Sequence, residues 1–437
     1  MTLKGELPAL GQSRLFGLSV GYLGLQITFG IESASLSRVY QGFGAGVDDL
    51  ALLWLAGPVS GLLVQPVVGQ LSDRSWTRFG RRRPWMLFAG TIAVVALAAI
   101  AYAPSLAVAI AMVWLLEVAM NALNAPYRAL VGDTLPQAQH GKGFALQTVF
   151  IGIGAFLGAM VPKALSLGGM PNVVTIGSMP DSVRLAFIGA AVCLAISVGG
   201  TAFAVREYSR EDYARFGVDL ISSPASRRSP RQHLSSIVAG FRPYRSIALM
   251  QFFAWAALYL LWVYATPVVA AGAFRAGSVQ DPRYGEGADW VGVMFAVYNG
   301  IAGLFAFILP GLFDRFGVRM VHASALLVGS CGFAGVAIVA SPWLLLACSV
   351  LVGIAYASML SAPFVMASRI ARHGEAGGAI GLMNVFIVVP QLAMGLGMGL
   401  IVRTFFAGDA SITLLLAGGF CAVAASISAM SDREKVA

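Results

Sequence analysis

Long apolar runs alternate with short polar breaks along nearly the whole chain. Twelve of the runs reach the roughly 20 residues that a helix needs to cross a hydrocarbon layer about 30 Å thick. They lie near 15–37, 48–71, 85–104, 106–129, 144–166, 185–205, 247–271, 290–312, 320–340, 343–366, 377–402 and 411–430. Lipid offers backbone polar groups no partner, so each run must satisfy them within a helix. The pattern therefore predicts an all-α membrane protein of twelve transmembrane helices. One polar stretch, 206–246, is too long for a turn between spans. It reads as a linker between a first six-helix half at 1–205 and a second at 247–437.

The sharpest polar break follows the second run. Ser72-Asp73-Arg74 ends the apolar sequence, and Arg74, Arg78, Arg81, Arg82 and Arg83 crowd in before Pro84 opens the next run. Basic residues this dense in a short loop are held on the cytoplasmic side. An even number of spans then puts both termini there, in a plasma membrane, or the inner membrane of a bacterium.

Composition agrees and excludes alternatives. Hydrophobic residues make up 58% of the chain and charged ones 11%. Mean hydropathy is +0.79. Soluble domains carry about a quarter charged residues. The net charge of +9 follows the predicted cytoplasmic loops, including Arg206, Arg210, Arg215, Arg227, Arg228, Arg231, Arg242 and Arg245 of the linker region. It thus argues for a bilayer as partner and against nucleic acid. Cys193, Cys331, Cys348 and Cys421 all lie in apolar runs without ligand spacing, so neither disulfide nor metal site is expected. His140, His233, His322 and His373 are scattered, and no nucleophile–base pair or phosphate loop is present, so neither a cofactor nor an enzyme is expected. No cleavable signal peptide is expected: the first run starts after Arg14 and is too long for an h-region.

The two halves repeat. Asp314-Arg315 with Phe316-Gly317 echoes Asp73-Arg74 with Phe79-Gly80. Ala125-Pro126, Gln147 and Gly158 then match Ala362-Pro363, Asn384 and Gly395. Such duplication is the frame of alternating-access carriers.

Within that frame, Glu117, Asn121, Asn124 and Arg128 are spaced i, i+4, i+7 and i+11, along one face of the fourth span. Glu117 comes about ten residues, or about 15 Å, into the bilayer. A carboxylate there is costly to ionise, so its protonation becomes sensitive to access from either side. The repeat puts Ile354, Ser358, Ser361 and Val365 at the matching places, so proton handling is expected in the first half only. Glu117 and Arg128 are the proton-coupling candidates. In the seventh span Gln251, Trp255, Tyr259 and Trp262 share a face. Sugars bind through hydroxyl hydrogen bonds and through C–H faces laid on aromatic rings. Trp255, Tyr259 and Trp262 with the carboxamides Gln26, Asn121, Asn124, Gln147, Asn299, Asn384 and Gln391 thus form a candidate saccharide site. Glu32, nearer the outer end of the first span, reads equally as a second titrating group or as an outer-gate residue. Gly57/Gly61, Gly154/Gly158 and Gly395/Gly399 are close-approach pairs.

The acid, glycine and arginines after the second span resemble the loop signature of the major facilitator superfamily. Asp73 can pair with an arginine in one access state and release it in the other. Gly69, Asp73, Arg74, Arg78, Gly80, Arg81, Asp314 and Arg315 are the gating candidates. The longer string from Leu55 to Pro84, with Trp114 to Leu130, is similar to the plant sucrose/proton symporters and their bacterial and animal relatives, near the glycoside-pentoside-hexuronide group. That resemblance implies a major facilitator fold and proton-coupled symport of a sucrose-like or maltose-like disaccharide by a monomer. It is dense over roughly 50–160 and looser beyond. Glu117 stands where the family has Asp, and the second half lacks the charges that plant members carry near the eighth span. A sodium-coupled or uncoupled sugar carrier, an exporter, and a membrane assembly or pigment-handling protein on the same fold remain as alternatives.

Overall fold

The structure, a computed structural model, describes residues 7–205, 207–217, 244–370 and 376–430. Among them twelve helices are long and apolar enough to cross a membrane. They are Gln12–Gly42, Leu50–Arg74, Arg83–Ala101, Leu106–Thr134, Gln137–Leu167 and Asp181–Ala204 in the first half. Arg245–Gly272, Pro282–Ala306, Val318–Ile338, Pro342–Ile370, Leu382–Phe405 and Ser411–Met430 form the second. The spans are numbered one to twelve in this order below. The expected twelve-helix architecture in two six-helix halves is borne out.

The eighth span starts earlier than its apolar run, at Pro282 rather than near 290. Arg283, Glu286 and Asp289 lower the local hydropathy, but Asp289 is neutralised by an ion pair with Arg38 of span one at 3.1 Å, both side chains buried. Helix therefore continues through a charged turn that composition reads as loop. Leu309–Phe316 is a separate short helix carrying Asp314 and Arg315.

Of the linker, residues 218–243 lie outside the described residues, as do Arg206, His233 and His373. Its first part folds into the helix Arg210–Phe216, started by Ser209, whose hydroxyl accepts from the Asp212 backbone while Asp212 reaches back to the Ser209 N–H. That helix is fastened beneath the first half: the Tyr213 hydroxyl donates to the Asp133 carbonyl at 2.5 Å.

Small residues set the helix packing. A Cβ on Gly30 would meet the Ala155 carbonyl at 2.6 Å and the Ala159 nitrogen at 2.9 Å, so spans one and five touch backbone to backbone. The three close-approach pairs divide by location. Gly154 and Gly158 press on span one, while Gly57 and Gly61 face Glu117 and Asn121, all within the first half. Gly395 and Gly399 alone of these meet the opposite half, at Leu55 and Asp48. Spacing marks a close approach but carries no information on the partner.

Candidate functional site

Between the halves lies a cavity of about 670 Å³. Spans one, two, four and five supply one wall; spans seven, eight, ten and eleven supply the other. Lining residues toward the 75–82 loop, Pro66, Arg128 and Asn384, are exposed, whereas Leu36 and Tyr259 at the far end are buried. The cavity therefore opens on the side of the arginine-rich loop.

The first-half wall is polar and hydrogen-bonded. Asn121 lies at its centre: its amide nitrogen donates to Ser60 Oγ at 2.9 Å and to Glu117 Oε2 at 3.3 Å. Its Oδ1 accepts from Gln65 Nε2 at 2.6 Å. The helical spacing of Glu117 and Asn121 makes this possible, since residues four apart stand one above the other. Asn124 accepts from the Tyr22 hydroxyl at 3.2 Å, and Arg128 lies against that same hydroxyl. Glu117 and Arg128 stand three turns, or about 16 Å, apart along the helix and form no ion pair with each other.

The second-half wall is aromatic. Trp262 donates its indole N–H to the Tyr298 hydroxyl at 3.0 Å, and the Tyr298 and Tyr356 rings meet edge to face with centroids 5.4 Å apart. Asn299, Asn384 and Gln391 add amides to this wall. Asn299 and Gln391 each donate back to a carbonyl one turn earlier, of Phe295 and Ile387, leaving their oxygens for a ligand.

Of the proposed ligand residues, Gln26, Asn121, Asn124, Tyr259, Trp262, Asn299, Asn384 and Gln391 line the cavity, as do Glu117 and Arg128. Gln147 and Trp255 do not. Gln147 stands seven and eleven residues before Gly154 and Gly158, on the stripe that packs against span one, so its symmetry with the exposed Asn384 does not extend to surroundings. Trp255 is 5% exposed and sits behind the wall, edge to face with Trp262 and Tyr356 at 6.3 and 6.5 Å. Tyr259 lines the cavity, but its hydroxyl is spent on the Ala51 carbonyl at 2.7 Å, across the seam. Trp54, Gln65, Tyr298 and Tyr356 are further lining residues that spacing alone did not single out.

The hydrogen bonds between halves, among the described residues, all lie at the end away from the loop. Besides Tyr259 to Ala51, Ser37 Oγ donates to the Val263 carbonyl at 2.8 Å and Tyr284 donates to Gln41 Oε1 at 2.5 Å. Arg38 pairs with Asp289, and Asn172 seals the pair: it donates to Asp289 Oδ2 at 2.8 Å and accepts from Arg38. This end is bolted shut, and no sequence feature links Arg38 to a partner 251 positions away.

At the loop end the ion pairs stay inside the first half. Asp73 accepts from Arg81 at 2.8 Å and also pairs with Arg82, while Arg82 Nε donates to Asp133 Oδ2 at 2.7 Å. Arg82 is 3% exposed, so it does more than set topology. Burial works against its charge, and Asp133 and then Asp73 outweigh that, holding the guanidinium above its ordinary value. Glu207 of the linker gathers the backbone N–H groups of Arg81, Arg82 and Arg83 at 2.6–2.8 Å. Gly80 is at φ +114°, and a Cβ there would meet Glu207 Oε1 at 2.8 Å, so the clamp needs glycine. Gly69 lies a turn before Asp73 and has open space around it. Arg78 and Arg315 stack on Phe79 and Phe316 at 4.8 and 5.1 Å instead of forming ion pairs. Asp314 and Arg74 make no ion pair among the described residues, so the second half has the motif without the cluster.

Where the fourth span of the first half carries Asn121, the tenth carries Ser358, which bonds His322 Nδ1 at 2.7 Å away from the cavity wall. No group of three or more His, Cys, Asp or Glu able to hold a metal occurs among the described residues.

Comparison with known proteins agrees with this architecture. The chain is 30% identical over 174 residues to the general alpha-glucoside permease of Schizosaccharomyces pombe, a match covering 36% of this chain and 32% of that protein. It is 23% identical over 461 residues to the sucrose transport protein SUT3 of Oryza sativa subsp. japonica, covering 91% and 88%. The resemblance to sucrose transporters is thereby borne out, and these relatives are transport proteins rather than enzymes. Among solved structures, the nucleoside transporter NupG superposes with a TM-score of 0.71 at 13% identity over 97% of this chain and 100% of that one. The peptide transporter POT with alafosfalin gives 0.72 at 15% identity over 98% and 96%. Both share the fold. Residues 16–277 match the Major Facilitator Superfamily, and the chain belongs to it.

Proposed function

We propose that the protein is a secondary active transporter that moves a sucrose-like or maltose-like disaccharide together with a proton, by rocking the 1–205 half against the 247–437 half around the central cavity. What carries the proposal is one observation: a buried carboxyl group, Glu117, sits in the wall of a cavity of about 670 Å³ whose opposite wall is aromatic and amide-rich. A disaccharide presents hydroxyls and C–H faces, and the two walls answer each. The relatives named as sucrose transport proteins and as an alpha-glucoside permease support the substrate class.

With the arginine-rich loop on the cytoplasmic side, by the positive-inside bias, the cavity faces inward and both termini are cytoplasmic, in a plasma membrane. The outer end is held by Arg38–Asp289 and its neighbours. Outward opening breaks those contacts, and the Asp73–Arg81–Arg82–Asp133 cluster shifts as the inner ends close. Each chain contains both walls, so a monomer is the working unit.

Proteoliposomes containing the purified protein test this with labelled sucrose, maltose and a non-glucoside control. An inwardly directed proton gradient in sodium-free buffer should drive accumulation of one or both disaccharides, and collapse of that gradient should abolish it. Accumulation that needs sodium would move the assignment to the sodium-coupled alternative. No saturable uptake of any sugar would remove transport of this substrate class altogether.

A further inference from the structure

We propose that Glu32 and Glu117 work as one unit, a carboxyl pair that keeps one proton between its oxygens and takes up a second as the transported proton. This rests on the proton-driven reading above and names the site that reading leaves half described. Glu32 lines the cavity, is 3% exposed, and neither of its oxygens has an N–H or O–H partner. Buried in the wall of the same cavity is the Glu117 carboxyl, and the proposed pair is a hydrogen bond between the two. Two acids can share such a bond only if one carries a proton, since like charges in contact at a buried site do not both ionise.

Among the described residues, the surroundings hold no cation for the pair. Arg38, six residues along span one, is committed to Asp289, and Arg128 is three turns away toward the mouth. The other titratable groups nearby are phenols. Tyr40 of span one donates to the Leu53 carbonyl, Tyr259 of span seven to that of Ala51, and Tyr298 of span eight lies beside the Trp262 indole N–H. Tyr356 of span ten lines the same cavity. Spans two and five contribute no titratable group to the cavity wall: Glu117 Oε1 abuts Gly57, where a Cβ would come within 2.9 Å. Gln65 and Asn121, hydrogen-bonded in sequence, lead from the open mouth to Glu117. In the loading step a hydronium ion in the cavity water gives its proton to the carboxylate oxygen, forming one O–H bond and leaving water; unloading is the reverse.

The pair also joins the right elements. Glu32 shares span one with Gln26 of the cavity wall and with Ser37, Arg38 and Gln41, which bolt the far end, about 8–14 Å further along the helix. A change in charge between spans one and four thus acts on the same rigid rod as the sugar and the gate.

The experiment is sucrose uptake and counterflow by the reconstituted full-length protein across a pH series, for the unaltered chain, E32Q, E32D and E117Q. E32Q should keep measurable counterflow but move the pH of half-maximal proton-driven uptake by at least about one unit, a tenfold change in proton concentration. E32D should bring it back to within about half a unit. A profile for E32Q matching the unaltered protein, with accumulation lost in E117Q, overturns the pair and leaves proton coupling standing. Full accumulation by E117Q overturns the coupling itself. Should E32Q not fold, infrared spectra of the unaltered protein decide. A protonated-carboxyl carbonyl band that persists at neutral pH and is missing from E117Q supports the pair, and its absence from the unaltered protein refutes it.

Discussion

The two walls of the cavity are built by repeated halves, yet they carry different chemistry. The first half presents two acids and a chain of amides, Glu32, Glu117, Asn121 and Gln65; the second presents rings, Trp262, Tyr298 and Tyr356, with amides between them. At the positions of Glu117 and Asn121 the second half has Ile354 and Ser358, and Ser358 is turned to His322. Duplication supplies the frame, while divergence on one face leaves the acids in one wall and the rings in the other. The two ends differ in the same spirit. The far end is closed by bonds between halves, whereas the loop end is held by ion pairs within one half.

If this division is right, substitutions on the two walls fail in different ways. The largest effect belongs to Glu117→Gln, which should reduce proton-driven accumulation to the equilibrium level while counterflow of labelled sugar remains measurable. Asp289→Asn comes next. It leaves Arg38 buried without its counter-charge, a change that costs about 3–5 kcal/mol, and should lower the melting temperature and raise labelling of a cysteine at Ser37 from outside. Replacing both partners, Arg38→Met with Asp289→Leu, should recover much of the stability, because two apolar groups leave no buried charge. On the aromatic wall, Trp262→Ala should weaken sugar affinity by about tenfold, equivalent to about 1.4 kcal/mol of stacking, without moving the pH profile. A shifted profile would break the proposed division. The smallest effect is the sharpest check on symmetry: Gln147→Ala should change affinity by less than about twofold, and Asn384→Ala by more, although the repeat makes them equivalent.

The twelve spans were legible because lipid imposes length and apolarity on every one of them, and the fourth-span stripe was legible because helical period alone aligns Glu117 with Asn121. What escaped was set by packing between distant segments. Asp289 lowered the apparent hydropathy of span eight, and only its pairing with Arg38 explains why helix runs through it. Glu32 could be read as an acid at an awkward depth; only the fold puts it in the wall of the same cavity as Glu117. Gln147 misled because a repeat preserves backbone positions and says nothing of which neighbour a face meets. Arg82 looked like one of several topological arginines until Asp133, 51 residues on, gave it a partner.

The most direct test is to watch protons move when sugar is added. Unbuffered proteoliposomes holding a sugar-selective preparation of the protein receive a pulse of sucrose, or of maltose if that is the sugar accumulated, while external pH is recorded. The account predicts a sugar-evoked alkalinisation outside for the unaltered protein and for Trp262→Ala at saturating sugar, and none for Glu117→Gln even though that variant still exchanges labelled sugar. Alkalinisation of equal size from Glu117→Gln would contradict it.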